Sequence, residues 1–398
     1  MTRRTSRLST LAISTLLGLA SAAAVQGAAD APPEGLEPLQ YGFRFASAIH
    51  DDPVDRGQAQ GLVVSDLVRL GLLDEAMSLA AEVDGWQRGV SHAEIAVALA
   101  GAGRTADAQA QLAEARKAEA AADGWHRVRI QSHIAEALAA LGRVQDSAQL
   151  AESLAQADPN QYKGRSAATV ALGQAEAGDL DAAVATLQSI EGDDDIMVAA
   201  FRTTGYLDLA KDVDLSREKR IELIDAASRS ATGLKGWHRS DAAQEIALAY
   251  QGLGEEKKAR DALDGVTGML LELDPKSPVK APLLARLAGT WVRIGDRKQA
   301  AHLLREAENA VEIETRMVTE TPVVRAQVAA GYLELGDDRA WVLYGEAMTD
   351  AEGLVNPRPR ALALVGICRS LGRVGAATLP AELKARMDAS LEGFERAS

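Results

Sequence analysis

Residues 236–263 read GWHRSDAAQEIALAYQGLGEEKKARDAL, and the chain writes close variants of this phrase twice before. Residues 85–112 read GWQRGVSHAEIAVALAGAGRTADAQAQL, and residues 124–150 read GWHRVRIQSHIAEALAALGRVQDSAQL. Repetition at this length marks an array of small stacked units, so the repeat is placed before any single residue is weighed. The glycine midway through each phrase (Gly103, Gly142, Gly254) recurs as Gly71, Gly178, Gly295, Gly336 and Gly372. The gaps are 32 to 41 residues, apart from one double gap between Gly178 and Gly254. A ninth, irregular unit is expected there, around DIMVAAFRTTGYLDLAKDVDLSREKRIELIDAA.

Fixed residue types surround each glycine. Eight positions before it stands an aliphatic residue: Val63, Ile95, Ile134, Val170, Ile246, Leu287, Val328 or Leu364. Seven before stands a small one in six units (Ala96, Ala135, Ala171, Ala247, Ala288, Ala329), with Val64 and Val365 in the end units. Four before stands Leu67, Leu99, Leu138, Gln174, Tyr250, Trp291, Tyr332 or Cys368, and five after an alanine or serine in most units. Positions −8 and −4 share one helical face and bury together. The small residues at −7 and +5 let two helices approach closely, and the glycine lets the chain turn between them. Each unit is therefore a helical hairpin that must stack on its neighbours to cover its apolar faces.

At these residues, for example Ile246, Ala247, Tyr250, Gly254 and Ala259, the sequence resembles the tetratricopeptide repeat (TPR) family over roughly residues 53–378. The mean period, near 38, exceeds the family's 34, and the family's proline after the second helix is largely missing. The resemblance implies an all-α, right-handed superhelical solenoid of about nine helix-turn-helix repeats. Around it, residues 30–52 would form an N-terminal segment with a capping helix, and residues 379–398 a C-terminal capping helix. Such arrays act as protein-protein interaction scaffolds, so a peptide or helix of a partner is the expected ligand of the concave groove. Family geometry lines that groove with positions −13, −10, −6, −3 and −2, which include Ala93, Asp241, Leu248, Ala330 and Glu334. On this reading the groove is mostly small and apolar, with scattered Arg69, Arg129, Arg165, Arg293 and Arg369.

Residues 1–29 read as a secretory signal peptide: Arg3, Arg4 and Arg7, then the apolar run LAISTLLGLASAAAV, then small Gly27, Ala28 and Ala29. An exported bacterial protein, periplasmic or extracellular and soluble, is expected. The later chain has no apolar stretch long enough to span a membrane. The formal net charge is −14, and loss of the three leader arginines leaves about −17. That balance argues against nucleic acid or an anionic membrane as partner. The single cysteine, Cys368, rules out a disulfide within the chain.

The GW-x-R phrase is not part of the family pattern. Its basic residue recurs as Arg56, Arg88, Arg127, Lys163, Arg239 and Lys280, fifteen positions before the glycine; Trp86, Trp125 and Trp237 stand two earlier, and Tyr162 one earlier. One reading is structural: the tryptophan staples the next helix, and the arginine bonds carbonyls at the end of the preceding one. The other makes the aromatic residues a row that grips a peptide or stacks on cell-wall glycan. The partner-binding candidates are thus Trp86, Trp125, Tyr162, Trp237, Arg88, Arg127, Arg239, Ala93, Leu248 and Ala330.

No catalytic constellation is recognised, and no cofactor or metal is expected. The six histidines show no ligand spacing, although His92 and His133 fall on first helices of adjacent units. The GDDD run at 192–195 lacks the alternation of a calcium loop and is expected to cap a helix. An α/α-toroid enzyme acting on polysaccharides would need acids pointing into a central cavity. The family's groove positions give no such ring of acids.

Overall fold

The computed structural model describes residues 34–397 apart from 158, 191–195, 212–213, 314–318 and 377–378. The expected signal peptide, the GDDD run and the side chains of Tyr162 and Lys163 lie outside the described residues. Among those described there are nineteen helices and no strand.

Helix α1 (Leu36–Ser47) precedes eight hairpins. The first four pair α2 (Pro53–Arg69) with α3 (Leu73–Ala80), α4 (Gln87–Gly101) with α5 (Thr105–Ala121), α6 (Gly124–Ala140) with α7 (Val144–Ala157), and α8 (Pro159–Glu176) with α9 (Leu180–Gln188). The irregular unit pairs α10 (Ile196–Leu209) with α11 (Arg217–Ala231). Then come α12 (Gly236–Gly252) with α13 (Glu256–Leu271), α14 (Lys280–Arg293) with α15 (Arg297–Ile313), and α16 (Thr321–Leu335) with α17 (Arg339–Glu352). Helices α18 (Pro357–Arg373) and α19 (Ala381–Ala397) complete the chain.

The repeat chemistry works as its spacing dictates. Ile246 and Ala247 of α12 and Ala259 of α13 are buried where the two helices meet. At the turn between them Gly254 adopts φ 74°, a left-handed conformation that favours glycine. Its N–H donates to the Gln251 carbonyl at 2.9 Å, and the Glu255 N–H reaches back to the Tyr250 carbonyl at 3.0 Å, so the helix end is satisfied.

The last unit needs a correction. Gly372 lies inside α18, and the turn is made three residues later by Gly375, at φ 66°. In that register Ile367, Cys368 and Leu371 take the aliphatic, small and apolar positions, and Arg360 takes the basic one. Gly372 serves another purpose: a Cβ there would meet Leu39 Cγ of α1 at 2.5 Å, so glycine allows a close helix crossing.

That crossing closes the molecule. α18 does not form a close hairpin with the following α19; its partner is α1, which packs along it as the second helix of each hairpin packs on its first. Leu39, Phe43 and Phe45 of α1 are buried, each contributing about 1.5–3 kcal/mol. α18 also touches α2, so the nine first helices, α2 through α18, form an unbroken cycle in which each contacts the next. α19 lies against α1 and α17, where Tyr41 Oη donates to Asp388 Oδ1 at 2.5 Å and Phe45 meets Phe394 edge-on at 6.2 Å. The array is a ring of nine hairpins whose ninth is made from both ends of the chain.

Candidate functional site

The cycle gives the first helices a common inner side. Arg69 of α2 favours ionisation of the Glu245 carboxyl of α12, although these helices are far apart around the cycle. Both side chains therefore reach toward the middle of the ring. The polar residues that meet there follow positions −13, −9, −6 and −2, where family geometry had suggested −10 in place of −9 and had added −3. They include Glu94, His133 and Glu245 at −9, Glu136 at −6, and Arg69, Arg293 and Glu334 at −2. In the corrected register Arg369 and Arg373 also fall at −6 and −2.

These groups tie neighbouring inner helices together. Ser65 Oγ donates to Glu94 Oε2 at 2.5 Å, across α2 and α4. Arg165 Nε donates to Glu136 Oε1 at 2.8 Å, across α6 and α8, with His133 Nδ1 3.5 Å from the same carboxylate. Arg286 pairs with Asp241 at 2.9 Å and Thr290 Oγ1 donates to Gln244 Oε1 at 3.0 Å, across α12 and α14. At the closing seam Asp66 of α2 receives Arg369 Nε at 2.6 Å and Arg373 Nε at 2.8 Å from α18, and Arg69 Nη1 at 2.8 Å from its own helix. The ring interior is thus a belt of charge and not the apolar groove read from the sequence.

Burial sets how these groups ionise. It opposes charge on Asp66, but Arg369, Arg373 and Arg69 overcome it and hold the carboxyl down to about 2. Burial likewise opposes Glu136, which Arg165 and His133 pull down to about 2. His133 is pushed down to about 4 by burial and then by Arg165, so it is neutral near pH 7. Two carboxyls go the other way. Burial raises Glu94 to about 7 against the pull of the Ser65 hydrogen bond, and raises Glu245 to about 8 against the attraction of Lys211. Glu94 Oε1 is buried without a hydrogen-bond partner.

The residues singled out in the sequence are dispersed. Ala93 is 0% exposed, packed with Ile130 and Leu112 in the core, and presents no surface to a ligand. Leu248 and Ala330 are half-buried against the main core. Trp86 and Trp125 come together, ring centroids 5.1 Å apart in an edge contact, and His126 stacks on Trp86 at 5.4 Å. Trp125 is 61% exposed. Trp237 packs on His238 at 3.5 Å and on the core, so the three tryptophans of the GW-x-R phrase form one pair and one separate residue. Arg88 Nε donates to the Val83 carbonyl at 2.8 Å, and Arg127 Nε to that of Glu119 at 3.2 Å, each at the end of the preceding helix. Lys280 and Arg360 do the same, at 2.8 Å from the Leu271 and Leu354 carbonyls. Arg239 is exposed. His92 Nδ1 bonds Gln111 Oε1 at 2.7 Å, so His92 and His133 have separate partners. Cys368 is buried, and burial pushes its thiol up, out of the reactive range.

The inner belt was missed because the family stripe was applied one position off at −10; the polar run Glu94, His133, Glu245, Arg286 and Gln327 at −9 was the available signal. Outside the ring, a cavity of about 620 Å³ opens beside α15, α16 and α17. Its charges are already paired, Arg325 with Glu312 at 2.6 Å and Asp350 at 2.9 Å. Among the described residues no group of three or more His, Cys, Asp or Glu is placed to hold a metal ion, and no helix is long and apolar enough to cross a membrane.

No protein-family model matches the chain, and no curated protein matches it. Solved structures of low similarity do. A Podosopora anserina kinesin light chain protein with nearly identical TPR-like repeats is 18% identical over 58% of this chain and 98% of its own, with a TM-score of 0.30. Ton1535 from Thermococcus onnurineus NA1 is 15% identical over 84% of this chain and 98% of its own, TM-score 0.28. A circular tandem repeat protein with novel repeat topology is 14% identical over 91% and 95%, TM-score 0.27. The fold itself rests on the chain's own repeat and its stacked hairpins: this is an all-helical tandem-repeat protein.

Proposed function

We propose that the protein is an exported, non-catalytic scaffold that binds a protein partner, and that the partner docks on the loop edge carrying Trp86, Trp125 and His126. The exposure of Trp125, 61%, carries the reading. A tryptophan left in water beside a second tryptophan and exposed arginines has the composition that dominates binding energy at protein interfaces. The inner face supports the shift away from the groove, because its charged groups are largely spent on one another. The leader-like sequence of residues 1–29 supports export.

A photoreactive amino acid placed at Trp125, in the full-length protein expressed in its own cell, tests this. The expected result is one discrete protein adduct, absent when the probe sits at exposed Val342 on α17. Equal labelling from both positions, or retention of cell-wall glycan in place of a protein, would overturn the reading; the second outcome would make the same aromatic pair a glycan platform.

A further inference from the structure

Three guanidinium groups converge on one carboxylate where the ring closes. Asp66 is 0% exposed, and its two oxygens receive Arg69, Arg369 and Arg373 through a single nitrogen each. The remaining nitrogens of the three arginines make no hydrogen bond among the described residues. They share one space, because donors 2.6 to 2.8 Å from the same carboxylate hold their guanidinium planes close together. The arginines also repel: Arg373 works against the charge on both Arg69 and Arg369.

Compensation for this charge is incomplete. Three positive groups face one full negative charge. α2 and α18 both end here, and each helix end supplies about half a negative charge. The next carboxyl that acts on Arg69 is Glu94, which already accepts from Ser65. The side chains of Arg69, Arg369 and Arg373 are 30%, 16% and 37% exposed, so their remaining donors open toward solvent, and a cluster of unfilled guanidinium donors is the arrangement that best receives an oxyanion.

We infer that the α2–α18 seam binds a compact, multiply charged oxyanion, a phosphate or a small polycarboxylate, held by Arg69, Arg369 and Arg373 and tying the two ends of the ring together. Arg373 and Arg69 are the more accessible members, their side chains 37% and 30% exposed, and mark the side from which the anion arrives. The inference is independent of the partner surface at Trp125.

The test uses the full-length protein without its leader, at constant ionic strength. Phosphate and citrate are titrated calorimetrically and in thermal unfolding, with chloride as the reference. The expected result is saturable binding of one anion per chain and a midpoint that rises with its concentration; whichever of the two binds tighter identifies the chemistry. Arg373→Gln should weaken binding at least tenfold. Arg293→Gln, on the same inner face but away from the seam, should leave it unchanged. Failure of the wild-type protein to bind either anion saturably, stabilisation that follows ionic strength alone, or equal loss in both variants would overturn the assignment.

Discussion

At the residue scale, Asp66 is the acid on which the closing seam converges. It is buried without exposure and is satisfied only because three arginines reach it. Replacing it by Asn leaves those arginines facing one another, and removal of one partner from a buried ion cluster costs about 3–5 kcal/mol. Asp66→Asn is expected to lower unfolding stability in urea by that amount, whereas a surface change such as Asp74→Asn should stay within about 0.5 kcal/mol.

The buried carboxyls act on pH in opposite directions. Asp66 is held below its ordinary 3.8, so its contribution is complete above that value and is lost as pH falls through about 2. Glu94 and Glu245 are held above their ordinary 4.5, at about 7 and about 8. The folded chain keeps protons that the unfolded chain releases, so stability falls as pH rises from about 4.5 to about 8. Glu94 faces Ser65, Glu136, Arg69 and Arg165; Glu245 faces Lys211, Asp208, Asp241 and Arg69. Thermal midpoints are expected to be higher near pH 5 than near pH 8.5, and Glu245→Gln should flatten the slope by about 1–3 kcal/mol across that range. A wild-type midpoint that stays constant across it would contradict this placement of the two acids.

At the scale of elements, two glycines of α18 and its turn behave oppositely. Gly375 has φ 66°, and alanine there should cost about 1 kcal/mol through backbone strain. Gly372 is helical, so propensity alone favours alanine by roughly 0.5–1 kcal/mol. The new Cβ would meet Leu39 Cγ at 2.5 Å, and the overpacking outweighs the gain by forcing α1 off α18. Gly372→Ala is therefore expected to destabilise by about 1–3 kcal/mol, measured by denaturant unfolding. These two residues also show what the sequence could carry. Hairpins, their turns and their alanine contacts were legible because each signal is local and repeated. The end register was not, since both glycines fit the spacing and only the approach of α1, from the far end of the chain, tells them apart. The −9 stripe of Glu94, His133 and Glu245 was visible as a pattern, but its direction depends on how far each inner helix is rotated within the ring.

At the scale of the whole molecule, closure decides what the surfaces can do. An open array offers a continuous concave groove, and the sequence permitted that reading because nothing local says whether the ends meet. Closure turns the concave side into a belt of largely paired charges and leaves the loop edge, with Trp125, as an exposed aromatic feature. It also makes α1 indispensable, since among the described residues no other helix packs along α18 as its hairpin partner. The central claim is that contact, and one substitution probes it. A Cβ on Gly42 of α1 would stand 3.2 Å from Cβ of Cys368 on α18, within a few tenths of an ångström of the spacing that a disulfide requires. Gly42→Cys, refolded from denaturant in an oxidising thiol–disulfide buffer so that both thiols can react before they are buried, is expected to form an internal disulfide with Cys368, seen as faster migration without reductant and loss of both free thiols. Two thiols that remain free in the folded, oxidised variant would contradict the closed ring.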